Sequence, residues 1–258
     1  MTSIIPNKDK KEKQRKTKRW PIVFWLMIWQ AASVFVGQEI LLASPVSVVK
    51  KLWQLLPQAD FWKTVGFSFV RIVSGFLLGL FAGTILAAAA CGCKVLEILL
   101  APVVTVMKSV PVASFIILCL IWLPSRNLSV FITFLMVFPA VYTNVCQGIR
   151  ETDRELLEMA QVFQVSFGRK VRYIYISQAA PYFLAACRLA LGLCWKAGVA
   201  AEVIGIPGGS IGEKLYHAKI YLNTPDLFAW TIVIIGISVL FEKLFLTGIG
   251  ALVERMGK

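Results

Sequence analysis

Three long stretches of this sequence carry no charged side chain. Residues 20–38, 72–93 and 127–149 lack Asp, Glu, Lys and Arg altogether. Each holds the ~20 residues that an α-helix needs to cross a bilayer. A fourth run, 98–125, is interrupted only by Lys108. Two weaker runs follow: 179–206, with Arg188, Lys196 and Glu202, and 227–246, with Glu242 and Lys243 near its end. Six crossings are therefore expected. Backbone groups left unpaired in hydrocarbon are costly, so an open sheet is excluded and the fold class is all-α, a polytopic membrane protein. Composition agrees: 58% of the residues are apolar and the mean hydropathy is +0.73, against ~45–50% apolar in soluble domains.

The formal net charge of +13 raises the question of nucleic-acid binding. Its placement argues for membrane topology instead. Eight of the 27 basic residues fall in residues 8–19, immediately before the first apolar run. Arg150, Arg154, Arg169, Lys170 and Arg172 fall in the segment between the fourth and fifth runs. A cytoplasmic N-terminus puts both clusters, Lys94 and the basic C-terminus on one side, with Lys50, Lys51, Lys63, Arg126, Lys214 and Lys219 on the other, a positive-inside bias. No aromatic-rich basic surface accompanies the clusters. Residues 1–19 are too polar to bury a core and are expected to be disordered. The first run is long for a signal peptide and no small-residue cleavage site follows it, which predicts an uncleaved first helix. Cys91-Gly-Cys93 falls in an expected cytoplasmic turn, where thiols stay reduced; a C-x-C pair alone is a weak metal signal.

Helices are expected over about 20–42, 64–90, 98–123, 128–148, from near Pro181 onward, and 226–246. A short amphipathic helix over 46–56, closed by Pro57, would lie on the outer face. Gly75, Gly79 and Gly83 recur every fourth residue, a bare stripe against which another helix can pack closely. Pro102 and Pro111 can kink the third helix, and Lys108 lies between them. A lysine at that depth faces a partner or a wet cavity, or snorkels to the interface.

Between the fourth and fifth runs the pattern changes. Leu156, Ala160, Phe163 and Phe167 recur at spacings of four, three and four, one stripe of a helix. Glu151, Asp153, Glu155 and Glu158 crowd its front, where the helix dipole favours acids. Ser166 is placed to cap a second short helix bearing Arg169, Lys170 and Arg172. Two covers suit the exposed stripe: a groove on a protein partner, or the bilayer surface.

Glu158-Met-Ala160, then Val165-x-Phe-x-x-x-x-Arg172, then Ala179-Ala-Pro181-Tyr182, resembles the cytoplasmic "EAA" loop of ABC importer permeases, the binding-protein-dependent transport inner-membrane components. The subgroup for nitrate, sulfonate, taurine and pyrimidine-type solutes is the nearest in pattern. Ser68-Phe-Val-Arg71-Ile-Val-Ser-Gly75, Ala101-Pro102, Pro111-Val-Ala113, Arg188-Leu-Ala-Leu-Gly-Leu-Cys-Trp195, Ala200-Ala-Glu202 and Ile211-Gly212 are similar to further segments of that family, in order. The chain departs from the family pattern at Gln164, where the loop usually has Gly, at Ser177 in place of Pro, and at Met159 in place of Ala. Gln164 can take the left-handed conformation of a bend at roughly 1 kcal/mol, and Gly168 could share it.

The resemblance implies a permease domain over 20–258 and two such permeases, a homodimer of this chain or this chain with a similar partner, forming a pathway in a bacterial plasma membrane with both termini cytoplasmic. It implies an ATPase dimer gripping the loop through Glu158, Met159, Ala160, Phe163, Gln164 and Val165. A separate binding protein would deliver a small solute, anionic or heterocyclic. No cofactor is expected on this chain: it lacks the G-x-x-x-x-G-K-[ST] loop, so ATP and Mg belong to the partner. Lys108, Lys196 and Glu202 are the candidate pathway or gate charges, although for Lys196 an internal ion pair is an equal alternative. An enzyme is disfavoured: His217 is the only histidine, and no catalytic or metal constellation accompanies it. The competing function is a secondary transporter or channel working without ATP; no inverted repeat supports it.

Overall fold

The computed structural model describes residues 20–256; the basic tail expected over 1–19 lies outside the described residues. Among the described residues ten helices follow one another: α1 (Trp20–Val36), α2 (Pro45–Leu55), α3 (Ala59–Gly92), α4 (Lys94–Ser109), α5 (Val112–Cys119), α6 (Ser125–Arg150), α7 (Arg154–Val162), α8 (Phe167–Gly205), α9 (Ile211–Ile220) and α10 (Thr224–Met256). Among the described residues there is no strand. Four helices, α3, α6, α8 and α10, are long and apolar enough to cross a membrane. The bent pair α4–α5 makes a fifth if it is one span, and α1 is an apolar helix of 17 residues.

Two expected helices end differently. The first stops at Val36 rather than near 42, because Gly37 takes a left-handed φ of 65° and its N–H bonds the Ser33 carbonyl, the usual C-terminal stop. The chain then folds back: Ser33 Oγ donates to the Leu42 carbonyl (2.9 Å) and Trp29 Nε1 to the Ala43 carbonyl (3.0 Å). The expected third helix is two helices meeting at 105°. Val110 is extended (ψ 127°) because the ring of Pro111 disfavours a helical residue before it. Pro102 is accommodated inside α4 without a break.

The core is a three-helix sandwich with α6 between α3 and α8. Gly75, Gly79 and Gly83 face α6 so closely that a Cβ at those positions would come within 2.4 Å of the Val130 carbonyl oxygen, 2.8 Å of the Val137 side chain and 3.0 Å of the Val141 side chain. The stripe thus receives the β-branched ridge Thr133–Val137–Val141. Van der Waals contact of this kind is what holds helices together where both solvent and protein are apolar. Ile72, Phe76, Val137, Val141, Ala190 and Cys194 form the centre. α10 closes one side: Phe76 meets Phe241 and Phe245 edge-on at centroid distances of 5.9 and 4.9 Å, the geometry that ring quadrupoles favour.

Candidate functional site

The charged segment after α6 forms an elbow. α7 starts at Asp153, whose carboxylate accepts the Glu155 N–H (2.9 Å), so the acids crowding the front include the cap itself. It ends after two and a half turns. Gln164 lies at φ 51°, its N–H donates to the Gln161 carbonyl (3.0 Å), and the Val165 N–H reaches the Ala160 carbonyl (2.9 Å). This pair of bonds is the Schellman closure, which asks for a left-handed residue at its corner, most often glycine. Gln164 fills that corner. Gly168 does not share the bend; it is helical, inside the first turn of α8.

The second arm is not a separate short helix. Phe167 to Gly205 is one continuous rod of 39 residues, with a wide π turn at Val171–Tyr175 and Pro181 inside it. Ser166 occupies the cap position, but its hydroxyl makes no capping bond. α8 therefore runs from the elbow to the far end of the bundle, about 57 Å at ~1.5 Å per residue.

The elbow is displayed. Met159, Val162, Phe163 and Phe167 are exposed, Val162 by 80% and Phe163 by 74%. Glu158 and Gln164 are exposed and Val165 is half-buried. Ala160 is the exception: it is 2% exposed and its carbonyl holds the turn, so it faces inward in this chain. The base is rigid. A Cβ on Gly148 of α6 would lie 2.8 Å from the Tyr182 side chain of α8, and Arg150 pairs with Glu97 of α4 at 2.8 Å. An apolar cavity of ≈ 650 Å³ lies behind the elbow, lined by Thr84, Cys91, Val145, Phe167, Ile176 and Phe183 among others.

The charges predicted for a pathway or gate do not converge. Lys108 is exposed two residues before the α4–α5 break, and Lys196 is exposed on the face of α8 that also carries Arg188, Leu189 and Gly192. Among the described residues neither lysine has a carboxylate within 4.0 Å, so the internal ion pair considered for Lys196 is not made among them. Glu202 is fully buried. Its Oε2 accepts Ser68 Oγ–H at 2.6 Å and the Gly212 N–H at 3.3 Å, while Ser68 Oγ accepts the Ile211 N–H at 2.9 Å. One carboxylate thus ties α8 to α3 and to the start of α9. Gly212 is required there: a Cβ would lie 2.3 Å from Glu202. Ser68 was not among the candidate residues. The available signal was a hydroxyl one turn after Thr64 and three residues before Arg71 in α3, and other polar side chains of that helix carry the same signal.

The family described as binding-protein-dependent transport system inner membrane component matches residues 75–257. The chain is 28% identical over 210 residues to the putative aliphatic sulfonates transport permease protein SsuC of Bacillus subtilis, covering 81% of this chain and 76% of that protein. It is 29% identical over 205 residues to the nitrate import permease protein NrtB of Synechococcus elongatus (75% and 73%). With the riboflavin transport system permease protein RibX of Chloroflexus aurantiacus it shares 26% over 209 residues (80% and 78%). In fold it resembles the crystal structure of an amino acid ABC transporter with histidines, with a TM-score of 0.53 at 18% identity, covering 81% of this chain and 97% of that one.

Proposed function

Since the chain belongs to the binding-protein-dependent transport system inner membrane components and is a permease of an ABC importer, we propose that the elbow at 153–167 is where it takes up force from a cytoplasmic ATPase pair. The observation that carries this reading is an exposed apolar knuckle on a turn closed by backbone bonds and continuous with a membrane-length helix. A groove on the ATPase would cover Met159, Val162, Phe163 and Phe167, with Glu158 and Gln164 at the rim. ATP-driven closure of the pair would displace the knuckle. Because α8 runs unbroken from it, the displacement would reach the far end as a tilt of the rod rather than be lost in a hinge.

In this reading both termini and the elbow lie in the cytoplasm, on the side favoured by the basic clusters. Two copies form the pathway, with Lys108 and Lys196, exposed on single chains, available to it. ATP and Mg are held by the ATPase. A separate binding protein supplies the solute, anionic or heterocyclic; the relatives named for sulfonates, nitrate and riboflavin support that range.

The test is the double substitution Glu158→Arg with Phe163→Asp, both at exposed positions. The variant is expected to reach the membrane at the wild-type level, to lose its ATPase on co-purification and to lose ATP-driven uptake. Unimpaired uptake by that variant would remove the elbow's role. Transport driven by an ion gradient with no ATPase present would favour a secondary transporter.

A further inference from the structure

Toward the end of the bundle opposite the elbow, α10 fills the groove between α3 and α8. Phe241 packs against Phe69 and Trp195, and Phe245 against Phe76. At Ile249 the filling stops, and from there toward the elbow the groove is the cavity of ≈ 650 Å³. Its walls include Ala88 and Cys91 from α3, Val145 from α6, and Ala179 and Phe183 from α8, while Ile249 is what α10 adds among the described residues. No charged residue lines it. The Thr84 hydroxyl on its wall is spent on the Leu80 carbonyl (2.7 Å), so water finds few partners there. Ala88, Gly92 and Ile176 of the lining are exposed, so the cavity is open to its surroundings.

Its depth is that of one leaflet. The lining on α3 runs from Thr84 to Gly92 at the elbow end, about 12 Å at ~1.5 Å per residue, within half of the ~30 Å hydrocarbon layer. Interiors close-pack, and an empty volume forfeits dispersion contacts along its whole lining. At the ~30 Å³ that a water-sized group occupies, this one has room for about twenty such groups, which is a chain rather than a side chain.

Charge selects the occupant. The first turns of α8 line the cavity with Val171 and Tyr175 and carry Arg169, Lys170 and Arg172 between and beside them. Arg169 and Arg172 are exposed. Among the described residues none of the three has a carboxylate within 4.0 Å, and the sequence holds no acid between Glu158 and Glu202. Arg150, by contrast, is already paired with Glu97. Unpaired cations beside an apolar hole at leaflet depth are complementary to a molecule with an anionic head and an apolar tail.

We infer that the cavity holds one acyl chain of an anionic phospholipid from the elbow-side leaflet, with its phosphate against Arg169 and Arg172. The lipid completes the packing that α10 leaves off at Ile249. The inference does not depend on what grips the elbow.

The test uses the full-length chain in nanodiscs containing a trace of phosphatidylglycerol with a diazirine on its acyl chain. Light is expected to label Ala88, Val145 and Ala179 above Ile235, Val239 and Leu240, which are exposed on α10. Changing the unlabelled background lipid from phosphatidylcholine to phosphatidylglycerol should lower the label on the lining about tenfold and leave the label on α10 as it was. Arg169→Gln with Arg172→Gln should abolish that difference between backgrounds. Ala88→Phe, at an exposed position of the lining, should block the label there; if that variant does not accumulate, the two backgrounds decide on the wild type alone. The site is overturned if the lining is labelled no more than α10, or equally in both backgrounds. It is also overturned if label enters only after residues 252–258 are removed, which would give the cavity to the chain's own end.

Discussion

Ser68 and Glu202, 134 positions apart, share a 2.6 Å hydrogen bond in the protein interior. Ser68 also accepts the Ile211 N–H, so one hydroxyl serves as donor to α8 and acceptor for α9. Ser68→Ala strips both and leaves a buried carboxylate and a buried amide short of a partner. The expected loss is about 2–4 kcal/mol. Glu202→Gln keeps an acceptor for Gly212 and should lose less. Thermal unfolding of the two variants in detergent checks the order; a Ser68→Ala protein that melts with the wild type would show the link to be idle.

The α3–α6 contact predicts a contrast between glycines of one helix. A methyl at Gly75 would meet backbone, the Val130 carbonyl, which cannot rotate aside. Gly75→Ala should cost about 3 kcal/mol or more through overpacking or prevent accumulation of folded protein. Gly66 has nothing within 4 Å. There Gly66→Ala should stabilise by roughly 0.5–1 kcal/mol, the helix propensity difference. Expression and unfolding of the pair decide the matter.

The corner of the elbow predicts an improvement. Gln164 holds a left-handed φ that glycine adopts without the clash of a Cβ. Gln164→Gly should relieve about 1 kcal/mol locally and increase exchange protection at the Val165 amide, which bonds the Ala160 carbonyl. Gln164→Pro fixes φ near −65° and removes the N–H that donates to Gln161. Hydrogen exchange at Val165 should rise sharply in that variant.

Lys196 and Glu202 share a helix and should behave oppositely. Lys196 is exposed and unpaired within the described chain, so Lys196→Gln should change stability by less than about 0.5 kcal/mol. If two chains place it in the pathway, the uptake rate changes while the melting temperature does not. A Lys196→Gln protein with altered melting and unaltered uptake would assign it to packing between copies.

Much of this protein could be read from residue order. Charge-free runs long enough for a bilayer exclude an open sheet and point to helices, because hydrocarbon offers backbone groups no partner and each run has the length of a helical crossing. The Gly75–Gly79–Gly83 stripe announced a close helix contact, and the Leu156–Ala160 spacing with Asp153 in front announced α7, while Phe163 and Phe167 of the same expected stripe lie past its end. These are local properties: a period, a cap, a missing Cβ. Tertiary structure alone decided what each feature meets. Nothing in the order of residues says that Gly75 meets Val130, that Glu202 is buried against Ser68 and Gly212 rather than standing at an open gate, or that Ala160 turns inward while Phe163 turns out. Proline positions suggested kinks at both 102 and 111, yet only Pro111 breaks its helix. Ser166 suggested a separate short helix, yet the helix that begins after it continues to Gly205. Such outcomes depend on contacts between segments tens to over a hundred residues apart, whose energies outweigh local preferences of ~1 kcal/mol.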